Sequence, residues 1–130
     1  MSFNIDTKEN FNVITSLFDV FDSQTFNDMT VFLEENDSLG TNLIFDISKT
    51  NEMDTAAMQL LSTFQEGYYA LGKSFVLCCN NEDLYQEFQT LFPTDTINIT
   101  PTQAEAIDIV SMEILERELL SGEEGGFELN

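Results

Sequence analysis

The chain has 130 residues, with 24 acidic side chains against 4 basic ones, no histidine and a formal net charge of −20. That balance excludes nucleic acid as a partner, because binding a phosphodiester backbone depends on Lys and Arg neutralising phosphates, and it disfavours anionic membrane surfaces for the same reason. Length and apolar share (42%) are those of one globular domain, whose field draws in a basic protein surface.

The segment from Met1 to Asn12 carries Asp6, Lys8 and Glu9 and has no apolar block, so it does not read as a secretory signal. No run approaches the roughly 20 apolar residues of a membrane span, and the chain is expected to be soluble and cytoplasmic, with no membrane partner. Phe11 to Phe18 is β-branched and aromatic enough to predict the first strand, ended by a corner at Asp19-Val20-Phe21-Asp22. Ser23 is placed to cap a helix through Glu35, with Phe26, Met29 and Leu33 on one face, followed by a loop from Asn36 to Gly40. Leu43 to Ile47 is apolar apart from Asp46, the pattern of a central strand covered on both faces.

A polar loop then opens into a helix at Asp54-Thr55, with Ala57, Leu60, Leu61, Phe64, Tyr68 and Leu71 at helical period and Gly72 as its stop. Thr55 thus stands at a helix N-terminus, where backbone N–H groups lack partners and the dipole is positive, so a phosphate on its hydroxyl is tolerated and visible to a partner. Asp54 suits the cap of that helix. Lys73 to Cys79 predicts another buried strand, in which Cys78 and Cys79 point to opposite faces and cannot close a disulfide with each other. Asn80 or Asn81 caps a helix bearing Leu84, Phe88 and Leu91, stopped by Pro93, and Thr96 to Thr100 alternates as an edge strand.

Thr100-Pro101-Thr102-Gln103 combines a capping residue, a first-turn proline and a glutamine at the third helical position. The helix it starts turns Ile107, Val110 and Ile114 to the sheet and runs through Leu115, Arg117, Leu119 and Leu120. From Ser121 a Gly- and Glu-rich segment, 121–130, reads as a flexible acidic tail carrying Phe127 and Leu129. Strands alternating with helices predict parallel pairing through helical crossovers, and hence a small α/β sandwich over 1–120.

Site chemistry for catalysis is missing. With no histidine there is no imidazole base or ligand, and neither a Gly-x-Ser-x-Gly elbow nor a glycine-rich phosphate loop occurs. Lys49 is not preceded by glycines, and Glu34-Glu35-Asn36-Asp37 lacks the alternation of a calcium loop. No catalytic residue, metal site or cofactor is expected, and the chain reads as a non-enzyme.

Asp46 and Asp54, eight residues apart, and the segment Asp54-Thr55-Ala56-Ala57-Met58 resemble the STAS domain, the fold of bacterial anti-sigma factor antagonists. In that family an apolar strand ends in Asp and a short loop leads to Asp-Ser/Thr-x-Gly-Leu opening a helix, the hydroxyl residue being the phosphoacceptor. The resemblance runs from about Phe11 to Val110. Ala57 replaces the family's glycine, so that a methyl stands where a partner's backbone would approach, and the family's Gly-Glu-Leu-Asp corner appears as Asp19 to Asp22 with only its last residue kept. The resemblance implies a mixed sheet of four to five strands with about four helices. It implies Thr55 as phosphoacceptor and a partner surface of Asp22, Asp46, Ser48, Asp54 and the exposed helix flank of Met58, Gln59 and Ser62. The implied partners are an anti-sigma factor serine/threonine kinase of ATPase type and a phosphatase. The alternatives are an unmodified STAS scaffold or assembly subunit, or an accessory module of a transporter, and the oligomeric state stays open.

Overall fold

The computed structural model describes residues 3–93 and 96–129, with the backbone alone from 122. The strand predicted over Phe11 to Phe18 is present, and one that the sequence does not predict precedes it. β1 (Phe3–Thr7) precedes β2 (Asn12–Ser16) and pairs with it antiparallel, Phe3 opposite Ser16. From β2 onward the pairing is parallel: β2 with β4 (Leu43–Asp46), β4 with β6 (Phe75–Cys78), and β6 with the two-residue β7 (Ile99–Thr100), giving the order β1-β2-β4-β6-β7. β4 is therefore central, as its apolar run predicts, and each parallel step is bridged by α1 (Ser23–Glu35), α2 (Thr55–Ala70) or α3 (Glu82–Leu91). A second, two-stranded parallel sheet joins β3 (Val20–Phe21) to β5 (Glu52–Met53).

Alternation along the strands sorts the core into two layers. Leu43, Phe45, Phe75, Leu77 and Cys79 face Met29 and Leu33 of α1, Leu61 of α2 and Leu84 and Phe88 of α3. Val13, Ile44, Val76 and Cys78 face Ala106 and Val110 of α4 (Gln103–Leu129) on the other side. Of the segment 121–130, expected as a flexible tail, the backbone through Leu129 belongs to α4, while its side chains from 122 and Asn130 lie outside the described residues.

The adjacent cysteines therefore sit on opposite faces, both buried and unbridged. Burial pushes the Cys78 thiol up to about 12, with the Asp46 carboxylate adding to it, and pushes Cys79 up to about 11. We predict that a disulfide-exchange reagent at pH 8 leaves the folded protein unlabelled and titrates both thiols once it is unfolded. Keeping both thiols protonated contributes stability that is complete below roughly 8.5, the unfolded thiol value. That contribution is lost as pH rises through 11 and 12.

Helix ends correct the predicted boundaries. Asp22, not Ser23, caps α1: its Oδ1 accepts from the Thr25 N–H (3.0 Å) and hydroxyl (2.9 Å), while the Asp22 N–H donates to Thr25 Oγ1 (3.2 Å). Thr102, not Thr100, accepts from the Glu105 N–H at the start of α4 (3.2 Å), and Thr100 instead donates to the Thr102 carbonyl (2.7 Å). Leu71, expected on the apolar face of α2, is its C-cap and 79% exposed. Asn81 rather than Asn80 caps α3.

Candidate functional site

The site is a corner where β4 leaves the sheet and α2 begins. After Asp46 the chain turns through Ile47, whose N–H donates to the Cys78 carbonyl (2.8 Å), to the buried Thr50, whose hydroxyl donates to the Phe18 carbonyl (2.7 Å). The N–H groups of Asn51 and Glu52 both donate to the Asp19 carbonyl, at 2.8 and 3.1 Å, and Asn51 Nδ2 donates to Asp19 Oδ1. β3 and β5 continue that seam, and Asn81 Nδ2 adds hydrogen bonds to the Thr50 carbonyl (3.0 Å) and Asn51 Oδ1 (3.3 Å). Asp54 then caps α2 through the Ala57 N–H (2.8 Å) and leaves Thr55 as the first helical residue, exposed. A loop stitched in this way fixes the backbone at Thr55 and leaves its side chain in water.

Of the residues expected around it, Asp22, Asp54 and Gln59 are exposed and Ser62 is half-buried. Met58 is not part of that flank: it is 2% exposed and belongs to the core. The buried arc of α2 runs through Ala57, Met58, Leu61, Gln65 and Tyr68, because the helix packs against both α1 and β6 and so turns inward a wider arc than one sheet contact requires. Asp46 is likewise only 8% exposed and acts as a brace, Oδ1 accepting from the Ser48 N–H and Oδ2 from Gln103 Nε2, both at 2.8 Å. The half-buried Ser48 accepts from the Asn80 N–H through its Oγ (3.0 Å). The Ala57 methyl, expected to crowd an approaching partner, is fully buried and faces the core instead.

The Thr25 N–H and then its hydroxyl hold the Asp22 carboxyl below its ordinary value of 3.8. A lowered carboxyl stabilises the fold above its unfolded value and loses that contribution as pH falls through the folded one. Asp22→Asn is therefore expected to lower stability at neutral pH, and the difference should fade as pH drops well below 3.8 in paired urea melts.

Sequence reasoning missed the Asp19 carbonyl, Asn51 and Gln103. Asn81 could be read as a cap, but its second use, across to the loop before β5, has no local signature. Among the described residues no cluster of His, Cys, Asp or Glu could hold a metal, and no helix is long and apolar enough to cross a membrane.

No family model and no curated protein matches the sequence. Solved structures do. SpoIIAA, an anti-sigma factor antagonist in its unphosphorylated form, matches with a TM-score of 0.58 and 18% identity over 84% of this chain and 97% of that one. A Thermotoga maritima protein described as an anti-sigma factor antagonist matches at 0.61 and 14%, over 84% and 94%. The murine anion transporter Solute Carrier 26 family member A9, inward-facing, matches at 0.63 and 12% over 82% of this chain, which spans 18% of the transporter's length. The mixed five-stranded sheet, its four helices and these neighbours together identify the architecture as the STAS fold, the fold of the anti-sigma factor antagonists.

Proposed function

We propose that this protein is a phosphorylation-controlled binding switch of the anti-sigma factor antagonist type. The observation that carries it is Thr55, exposed as the first residue of α2 on a corner fixed by Asp19, Asn51, Asp54 and Asn81. Unmodified Thr55 with Gln59 and Ser62 docks onto a serine/threonine kinase of ATPase fold. The kinase transfers the γ-phosphoryl of ATP to Thr55 Oγ1, releasing ADP and the hydroxyl proton, and a phosphatase later passes that group to water. The phosphate adds a charge of about −1.5 to −2. It falls beside the exposed carboxylates of Glu52 and Asp54, so burying it in an interface is opposed by repulsion and desolvation. A penalty of about 3 kcal/mol weakens binding roughly a hundredfold, which frees the partner. Mass spectrometry of the protein isolated from its own cells tests this: a phosphate on Thr55 is expected, and phosphate confined to other residues overturns the reading.

A second reading, an unmodified STAS module working through assembly or beside a transporter, draws support from the same fold within the anion transporter. Light scattering over a range of concentrations separates the two, since an assembly subunit grows in mass with concentration and a monomeric switch does not.

A further inference from the structure

α4 carries a second apolar surface, on the side turned away from the sheet. Ala106 and Val110 are fully buried against the strands, whereas Met112, Leu115 and Leu119 are 62%, 54% and 55% exposed. At about 100° per residue these three lie within an arc of roughly 60° on the outer side of the helix. Glu116 borders the arc on one side and Glu118 lies beyond its other edge, while Asp108 falls within it one turn before Met112, all three exposed.

The same turns are held rigidly from beneath. Glu113 Oε1 accepts from the Tyr69 hydroxyl (2.8 Å) and Ser74 Oγ (2.6 Å), and Asn98 Nδ2 donates to the Tyr69 oxygen (2.7 Å). Arg117, the single basic residue of α4, is turned inward, donating to Ser74 Oγ (2.7 Å) and Asn42 Oδ1 (3.2 Å). The inward network takes up the one cation, so among the described residues the exposed charges of α4 are all acidic.

We propose that this face docks an amphipathic helix of a partner protein that carries Lys and Arg along both edges of its own apolar stripe. Charge selects that occupant. A second copy would bring another net charge of −20 and the same acidic flanks, whereas a basic helix matches both the stripe and its border. The face lies across the sheet from α2, so the proposal stands apart from Thr55.

The test uses a synthetic Leu/Lys amphipathic helix of about 18 residues, five turns long, as the probe. Calorimetry and amide-shift mapping on the whole protein should show saturable one-to-one binding with shifts centred on α4. Affinity should fall about tenfold or more on raising salt from about 50 to 300 mM, because the flanking charges contribute. Leu115→Gln/Leu119→Gln should weaken binding at least about tenfold. Met112→Gln serves as a second variant, unchanged melting temperatures establish folding, and Thr55→Glu should bind the peptide like wild type. Equal peptide binding by the double variant, or shifts scattered over the surface, would mean bulk charge attraction alone and overturn the proposal. Sedimentation showing a dimer that the double variant dissociates would overturn it too, by making a second copy the occupant.

Discussion

Replacing Thr55 with Glu is expected to abolish capture of an ATPase-fold kinase, lowering affinity roughly a hundredfold with no loss of stability. A carboxylate in the first turn suits the positive end of the α2 dipole, so the helix gains nothing to resist. Among the described residues Thr55 makes no side-chain hydrogen bond that the substitution would break, and Asp54 keeps its cap on Ala57. Thr55→Val is the companion variant, expected to bind like the unmodified protein and to stay bound in the presence of kinase and ATP. Titration calorimetry on the three proteins decides the matter: unchanged capture by Thr55→Glu defeats the switch, and release of Thr55→Val by kinase and ATP moves the phosphoacceptor elsewhere.

The largest stability effect is expected from Phe45→Ala. Phe45 lies mid-strand in β4, 1% exposed, with ring centroids 6.3 Å from Phe3, 5.8 Å from Phe21 and 6.2 Å from Phe75. Removing the ring forfeits its transfer energy and opens a cavity between rings anchored on separate strands, a loss of about 3–5 kcal/mol. Against a total stability of roughly 5–15 kcal/mol that leaves the protein marginal, and melting should fall by about 10 °C or more. Because Phe21 belongs to β3, the damage also reaches the seam that holds the Thr55 loop. Phe92→Ala makes the control, since that half-buried ring stacks on Phe88 at the edge of α3 and should cost far less in a urea melt. A Phe45→Ala midpoint close to that of Phe92→Ala would refute the account.

The parts legible in sequence were those where one strong local signal prevailed. The apolar run of β4 marks a doubly covered strand, and the period of α2 and the position of Thr55 at its start follow from Asp54 and the residues after it. β1 was hidden because Phe3 to Thr7 mixes polar and apolar residues, and only Phe3 is buried. β3 and β5 were invisible for a different reason: two-residue strands have no periodicity, and their pairing is set by where the Asp19 carbonyl falls in space. Met58 was misplaced because period alone gives the centre of a buried face and not its width. Gln65 is the clearest case of tertiary demand. Its amide donates to the Phe75 and Asn98 carbonyls and accepts from the Asn98 N–H, filling the gap between β6 and the approach to β7, so a polar residue sits at an apolar-period position.

The two margins of the main sheet bear on how the protein behaves when crowded. Unpaired backbone along an outer strand is a template for intermolecular addition and fibril growth. Here one margin is β7, only two residues long, and the other is β1, whose end carries Asp6 in an ion pair with Lys8 at 3.1 Å. A newcomer would find too few backbone partners at the first and would have to strip a charge pair of its water at the second. Concentrated solutions should therefore stay free of cross-strand polymers, and strand addition should begin only after β1 or β7 has come away and uncovered the strand beside it.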